Sequence, residues 1–142
     1  TEYFANYNIS YSECKQHQAI TLTSTQEAYF QNHVFDPERT LSILSNYHQE
    51  SLDLGFPAAR LIGEMPSMIQ HVSGGDRLLE YESKVSILLK KHPVTTVCQY
   101  DANLFDGATI MDILKVHPQM IVNGAVVHNP FYIPPEEFLK NV

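Results

Sequence analysis

The sequence predicts an α/β fold, a mainly parallel sheet flanked by helices and finished by a C-terminal antiparallel hairpin, on three observations. Short β-branched runs alternate with longer stretches whose apolar residues recur at three- and four-residue spacings. Most switches between the two are marked by a capping residue, a glycine or a proline. A single Asn-Gly pair, Asn123-Gly124, stands between two short apolar runs near the C-terminal end.

The elements follow in order. Ala19 to Ser24 is short and β-branched, which suits a strand. Asp36-Pro37-Glu38 then offers an N-cap, a proline for the first turn and an acid near the positive helix end, so a helix begins there. Leu41, Leu44, Tyr47, His48, Ser51 and Leu52 form its inward stripe, and Gly55 ends it. Ala59 to Met65 reads as a second strand, stopped by Pro66. Past Gly74-Gly75, Asp76 is placed to cap a second helix in which Leu78, Leu79, Glu82, Val85 and Leu89 recur helically. His92-Pro93 closes it, and Thr95 to Tyr100 is the third strand. A short helix over Ala108 to Val116 ends at His117-Pro118. Met120 to Asn123 and Ala125 to His128 form the hairpin, and helix-strand alternation implies right-handed crossovers, with the hairpin at one edge of the sheet.

A chain of 142 residues, 44% hydrophobic, suffices for one core and not for two ordinary domains. Residues 1–18, polar and tyrosine-rich, read as the N-terminal segment of a truncated or shortened domain. Residues 19–135 read as the domain itself, and 136–142 as an exit segment. The net charge of −7 opposes phosphate attraction, so no direct nucleic-acid partner is expected. No apolar run approaches a bilayer span, so no membrane partner is expected either. Two cysteines far apart in the chain, Cys14 and Cys98, make no disulfide framework, and a reducing, cytoplasmic setting fits.

In open α/β sheets, ligands bind beyond the carboxyl ends of the parallel strands. Arg60 and Glu64 lie four residues apart on one strand and share a face, as a pocket-lining pair or as an ion pair tying the strand to a helix. Glu82 falls on an inward stripe and would meet Arg60, whereas Glu80 suits a solvated face. Cys98 and Tyr100 share a face opposite Val97 and Gln99. A buried cysteine is most often a small inert residue; as a nucleophile it would need a nearby base, for which His117 or His128 are the late-chain partners. The seven histidines show no ligand spacing such as H-E-x-x-H, so no metal is expected, and His92 and His117 read first as helix-ending residues before proline. Asn129 before Pro130 favours a turn in which its amide bonds local backbone. Phosphate loops and the serine-hydrolase elbow are missing, so no catalytic set and no cofactor is expected.

Phe35-Asp36-Pro37-Glu38-Arg39, Arg60 to Met65, Leu79-Glu80-Tyr81-Glu82, Cys98-Gln99-Tyr100-Asp101, His117-Pro118 and Asn129-Pro130-Phe131-Tyr132, in this order, resemble the MEDS domain, the methanogen/methylotroph sensory domain of prokaryotic signalling proteins. The resemblance implies an α/β fold distantly like RecA-type ATPases. It also implies a sensory module, joined to a histidine kinase or helix-turn-helix output domain, that detects simple hydrocarbon or one-carbon derivatives. Family members usually begin with a further strand and helix region that this chain does not show, and a missing edge makes a homodimer a reasonable expectation. The pocket expected from these readings is framed by Arg60 and Glu64, given polarizable surface by Met65, Cys98 and Tyr100, and supplied with polar contacts by Glu82, His117 and Asn129. The alternatives are a dimerisation module without a ligand and an enzyme built on Cys98 and a histidine.

Overall fold

The computed structural model describes residues 6–140. Its elements are helices α1 (Tyr11–Gln16) and α2 (Thr25–Tyr29), strands β1 (Phe30–Gln31) and β2 (Val34–Phe35), helix α3 (Pro37–Asp53) and strand β3 (Ala59–Glu64). Two 3-10 turns, Ser67–His71 and Gly75–Arg77, lead into helix α4 (Leu78–Leu89), followed by strand β4 (Val94–Gln99) and helix α5 (Gly107–Lys115). Strands β5 (Gln119–Val122) and β6 (Ala125–His128) and the single turn of α6 (Pro135–Phe138) complete the chain.

The α3 boundaries arise from local chemistry. Asp36 Oδ1 accepts from the backbone N–H of Glu38 and Arg39 at 3.0 and 3.1 Å, and Pro37 occupies the first turn, where its missing N–H costs nothing. At the other end Gly55 takes φ +85°, which lets its N–H reach Leu52 and the N–H of Phe56 reach Ser51. These two bonds satisfy carbonyls that the last turn would leave orphaned. The Asn123-Gly124 turn is also as expected, with φ of 50° and 79° and β5–β6 pairing from Val122↔Ala125 to Gln119↔His128.

The sheet departs from the expectation in three ways. The parallel part is a single pair, β3–β4, in register from Ala59↔Val94 to Glu64↔Gln99; the hairpin is a separate two-stranded sheet rather than an edge of it. Residues 19–24 are not a strand. Ser24 caps α2 through a reciprocal box with Glu27, and Thr23 bonds the Tyr47 hydroxyl at 2.9 Å, so this β-branched run is anchored by side chains and has no ladder partner. A third small sheet, β1–β2, turns through Asn32 and His33, both left-handed at φ 53° and 60°. That turn hand matches the strand twist, and the pairing Phe30↔Phe35 sends both rings into the core.

The core gathers Phe30, Phe35, Met65, Ile69, Tyr81 and Val85, with Tyr81 edge-on to Phe35 at 5.5 Å between centroids. Helices α3 and α4 pack on each other and reach the strand pair, α3 at β3 and α4 at β4. Alternation along β3 turns Ala59, Leu61 and Gly63 inward and leaves Arg60, Ile62 and Glu64 exposed. Residue Asp76 does not cap α4; it lies in the preceding 3-10 turn, and Arg77 holds the cap position without a side-chain bond. The α6 turn, inside the stretch read as an exit segment, packs against α4 and is tied to it by Lys90–Glu136 at 2.9 Å.

Glu80 is not a solvated residue. Arg77 joins it at 2.8 Å and Lys84 at 2.5 Å, and both cations also hold Glu38 of α3, at 2.7 and 3.0 Å. Hydrogen bonds from Arg77 and then Lys84 bring the Glu38 and Glu80 carboxyls down to about 2 from an ordinary 4.5. A carboxylate depressed on folding contributes stability above its unfolded pKa and loses it as pH falls through the folded one. The α3–α4 clamp is therefore complete above about 4.5 and is lost on acidification toward about 2. Because Glu38 is over half exposed, solvent screening limits the effect: Glu80→Gln should cost about 1 kcal/mol near neutrality, and less in high salt. Thermal unfolding of both proteins against pH checks this, the two curves converging in acid.

Candidate functional site

Two features meet at β4. The first is an open cleft of about 680 Å³ along the outer edge of β3. Its walls are α3, through Leu44, Tyr47 and Ser51, and the extended segment carrying Thr21 and Leu22. Both faces of β3 contribute, because the strand has no partner on this edge among the described residues, and Arg60 and Glu64 lie at its rim. Both are exposed, share a face as expected, and form no ion pair among the described residues.

Tyr29, Gly63 and Cys98 meet at one corner of the cleft. A Cβ on Gly63 would run into the Tyr29 hydroxyl, so glycine at 63 is what lets that hydroxyl lie against β3 there. Burial, with the nearby Cys98 and Glu82, pushes the Tyr29 phenol well above its ordinary range, so the corner holds a neutral donor.

The second feature is a buried polar cluster behind this corner. Glu82, 2% exposed on the inward face of α4, projects toward β4 and the end of α5. The Tyr100 hydroxyl donates to its Oε1. Its Oε2 accepts from the Cys98 thiol at 3.4 Å and stands 3.5 Å from His117 Nε2. The thiol, the imidazole and the carboxylate each offer an atom within 4.8 Å of the other two. The partners of Glu82 are thus Cys98, Tyr100 and His117, not Arg60.

Each member is held by its own element. Alternation along β4 and the residue after it puts Cys98 and Tyr100 on one face. Residue His117 follows α5, whose last turn supplies the Ile113 carbonyl to His117 Nδ1 at 2.8 Å. Asn129 fixes the same corner from the far side: its Nδ2 donates to the carbonyls of Leu114 and His117 at 2.5 and 2.9 Å, and its Oδ1 accepts from Phe131 N–H at 3.0 Å. Its bonds go to backbone as expected, but only the one to Phe131 is local; the other two tie this turn to the end of α5, so Asn129 positions His117 and does not line the cleft. Met65, just past β3 and 3% exposed, belongs to the core and does not line the cleft.

Burial, and then the Glu82 charge, push the Cys98 thiol well above its ordinary range. This is the opposite of the lowered pKa that activates a nucleophilic cysteine. His117 does reach Cys98's neighbourhood, whereas His128 is exposed at the end of the hairpin.

Among the described residues no helix is long and apolar enough to cross a membrane. Comparison with protein-family models gives a match to the MEthanogen/methylotroph, DcmR Sensory domain over residues 1–118. Neither the curated proteins nor the solved structures contain a match to the chain.

Proposed function

Since the chain belongs to the MEDS family of sensory domains, we propose that it is a cytoplasmic signalling module that binds a small molecule in the cleft beside β3. The observation that carries this reading is that cleft itself, lined at one corner by Tyr29, Gly63 and Cys98, with Cys98 bonded from behind to Glu82. The cleft has the volume of a drug-sized site, and a one-carbon compound would fill only a small part of it. A simple hydrocarbon derivative therefore belongs at that corner, against the polarizable Cys98 sulfur and the Tyr29 hydroxyl. Signal passage to an attached kinase or helix-turn-helix domain requires two arrangements that bind the ligand unequally. The kinship with RecA-type ATPases is part of the same reading, supported by a parallel pair joined through a helix.

The test is calorimetry and ligand-observed NMR of the intact protein with methylated and halogenated one-carbon compounds. Gly63→Ala, whose methyl would displace the Tyr29 hydroxyl from its corner of the cleft, should weaken binding at least about tenfold. Absence of heat and of line broadening with every compound would remove the support for this reading.

A second reading, self-association, is favoured by the unpaired outer edge of β3 and by Ile62, 72% exposed on the uncovered face of the pair. Parallel strands are ordinarily covered on both faces. Sedimentation that depends on concentration and is abolished by Ile62→Lys would support it.

A further inference from the structure

We propose that Cys98, His117 and Glu82 form a binding site for a divalent transition ion of the zinc class. The proposal does not depend on a ligand in the cleft.

The atoms are spaced for it. Bond lengths of about 2.3 Å for sulfur and about 2.0–2.1 Å for nitrogen and oxygen place the corners of a tetrahedral zinc shell about 3.3–3.6 Å apart. Glu82 Oε2 lies 3.4 Å from Cys98 Sγ and 3.5 Å from His117 Nε2. The third pair, Cys98 and His117, lies within 4.8 Å.

The outer partners are arranged as metal ligands require. A ligating imidazole donates its other N–H to a carbonyl or carboxylate, which fixes the tautomer, and ligating carboxylates are themselves hydrogen-bonded. His117 Nδ1 faces the Ile113 carbonyl at 2.8 Å, so Nδ1 is the nitrogen that donates there and Nε2 is the one turned to the cluster. The Tyr100 hydroxyl occupies Glu82 Oε1 and leaves Oε2 to converge with Cys98 and His117. Tyr100 is accordingly a positioning residue and not a ligand.

Charge supports the same conclusion. In the neutral imidazole, a proton on Nδ1 leaves Nε2 and the carboxylate oxygen facing each other as two acceptors, an arrangement that is repulsive in a buried place. A dipositive ion turns both lone pairs, and the thiolate, into bonds. Its charge is balanced by one thiolate and one carboxylate, so the filled site is neutral. On binding, the Cys98 proton leaves to solvent and no redox change occurs. Three protein ligands leave one position for water or an exogenous group.

Cobalt titration tests this on the intact, metal-stripped protein. Co²⁺ should give one equivalent per chain with visible bands of tetrahedral intensity and a near-ultraviolet thiolate-to-metal band, and Zn²⁺ should bleach them. Cys98→Ser should abolish the near-ultraviolet band, whereas Cys14→Ser should leave it unchanged. His117→Gln and Glu82→Gln should each lower affinity by at least about tenfold. Tyr100→Phe should keep the tetrahedral spectrum with affinity about 10- to 100-fold weaker. Circular dichroism of each variant separates lost binding from lost folding, and Cys98→Ser, the mildest change, is decisive if the others unfold. A wild-type protein without these bands, or a near-ultraviolet band surviving Cys98→Ser, overturns the proposal and leaves the cluster as a buried polar contact among side chains. One-carbon binding measured on the stripped protein is a separate readout, so either reading can fail without the other.

Discussion

Gly74→Ala should destabilise the protein by about 2–4 kcal/mol, the sum of a left-handed backbone cost and a steric one. Gly74 has φ +83° and ψ −6°, and a Cβ there would be driven into the Phe35 carbonyl. That carbonyl cannot retreat. Phe35 is 1% exposed at the middle of the core, its N–H is bonded to Ser73 O at 2.9 Å, and Val34 bridges Ser73. Gly55 is the internal control, because its φ of +85° is nearly the same while nothing lies within 4 Å of its added Cβ. Gly55→Ala should therefore lose only the backbone part, about 1–2 kcal/mol. Urea unfolding of the two variants isolates the steric part by difference. Equal losses would show that the 73–74 backbone does not need to lie against Phe35. The consequence reaches the site, since Gly74-Gly75 sets the start of α4 and α4 carries Glu82.

The readable parts of this fold were those decided within a few residues. Asp36-Pro37 and Gly55 state the ends of α3, and Asn123-Gly124 states its turn, because caps and tight turns use only neighbouring backbone. Period-two alternation likewise placed Cys98 with Tyr100, and helical spacing placed Glu82 inward. What sequence could not supply was the meeting of these residues. Residues 82, 98 and 117 come from three elements whose spacing follows no ligand motif, and the carboxylate's neighbour on the inside was assigned to Arg60 when alternation in fact turns Arg60 outward. The run at 19–24 misled for a related reason: β-branched residues suit a strand, yet a strand exists only where a partner lies alongside. The β1–β2 turn escaped notice because His33, a non-glycine, takes the left-handed conformation, and the only local signal was Asn32 before it.

Asn129→Ala should cost about 2–4 kcal/mol, more than its single side chain suggests, because it removes three bonds to backbone at once, although the Leu114 carbonyl keeps the His117 N–H at 3.1 Å. Asn129 is 7% exposed, so water does not replace the lost bonds to the Leu114 and His117 carbonyls and to Phe131 N–H. Asn129→Asp distinguishes hydrogen bonding from simple filling of space. It keeps the acceptor for Phe131 but turns an acceptor oxygen toward two carbonyls, so it should destabilise at least as much as alanine despite its near-identical shape. If aspartate were tolerated, the amide would not be the bracket described above. The His117 ring provides a local reporter: with its carbonyl released, the residue keeps its N–H to Leu114 and Nδ1 to Ile113 but loses the bond from outside α5. Its ring proton resonances should therefore shift and broaden in Asn129→Ala at temperatures where circular dichroism still shows a folded protein. Unchanged His117 signals in a folded variant would mean that α5 alone orients the imidazole toward Glu82.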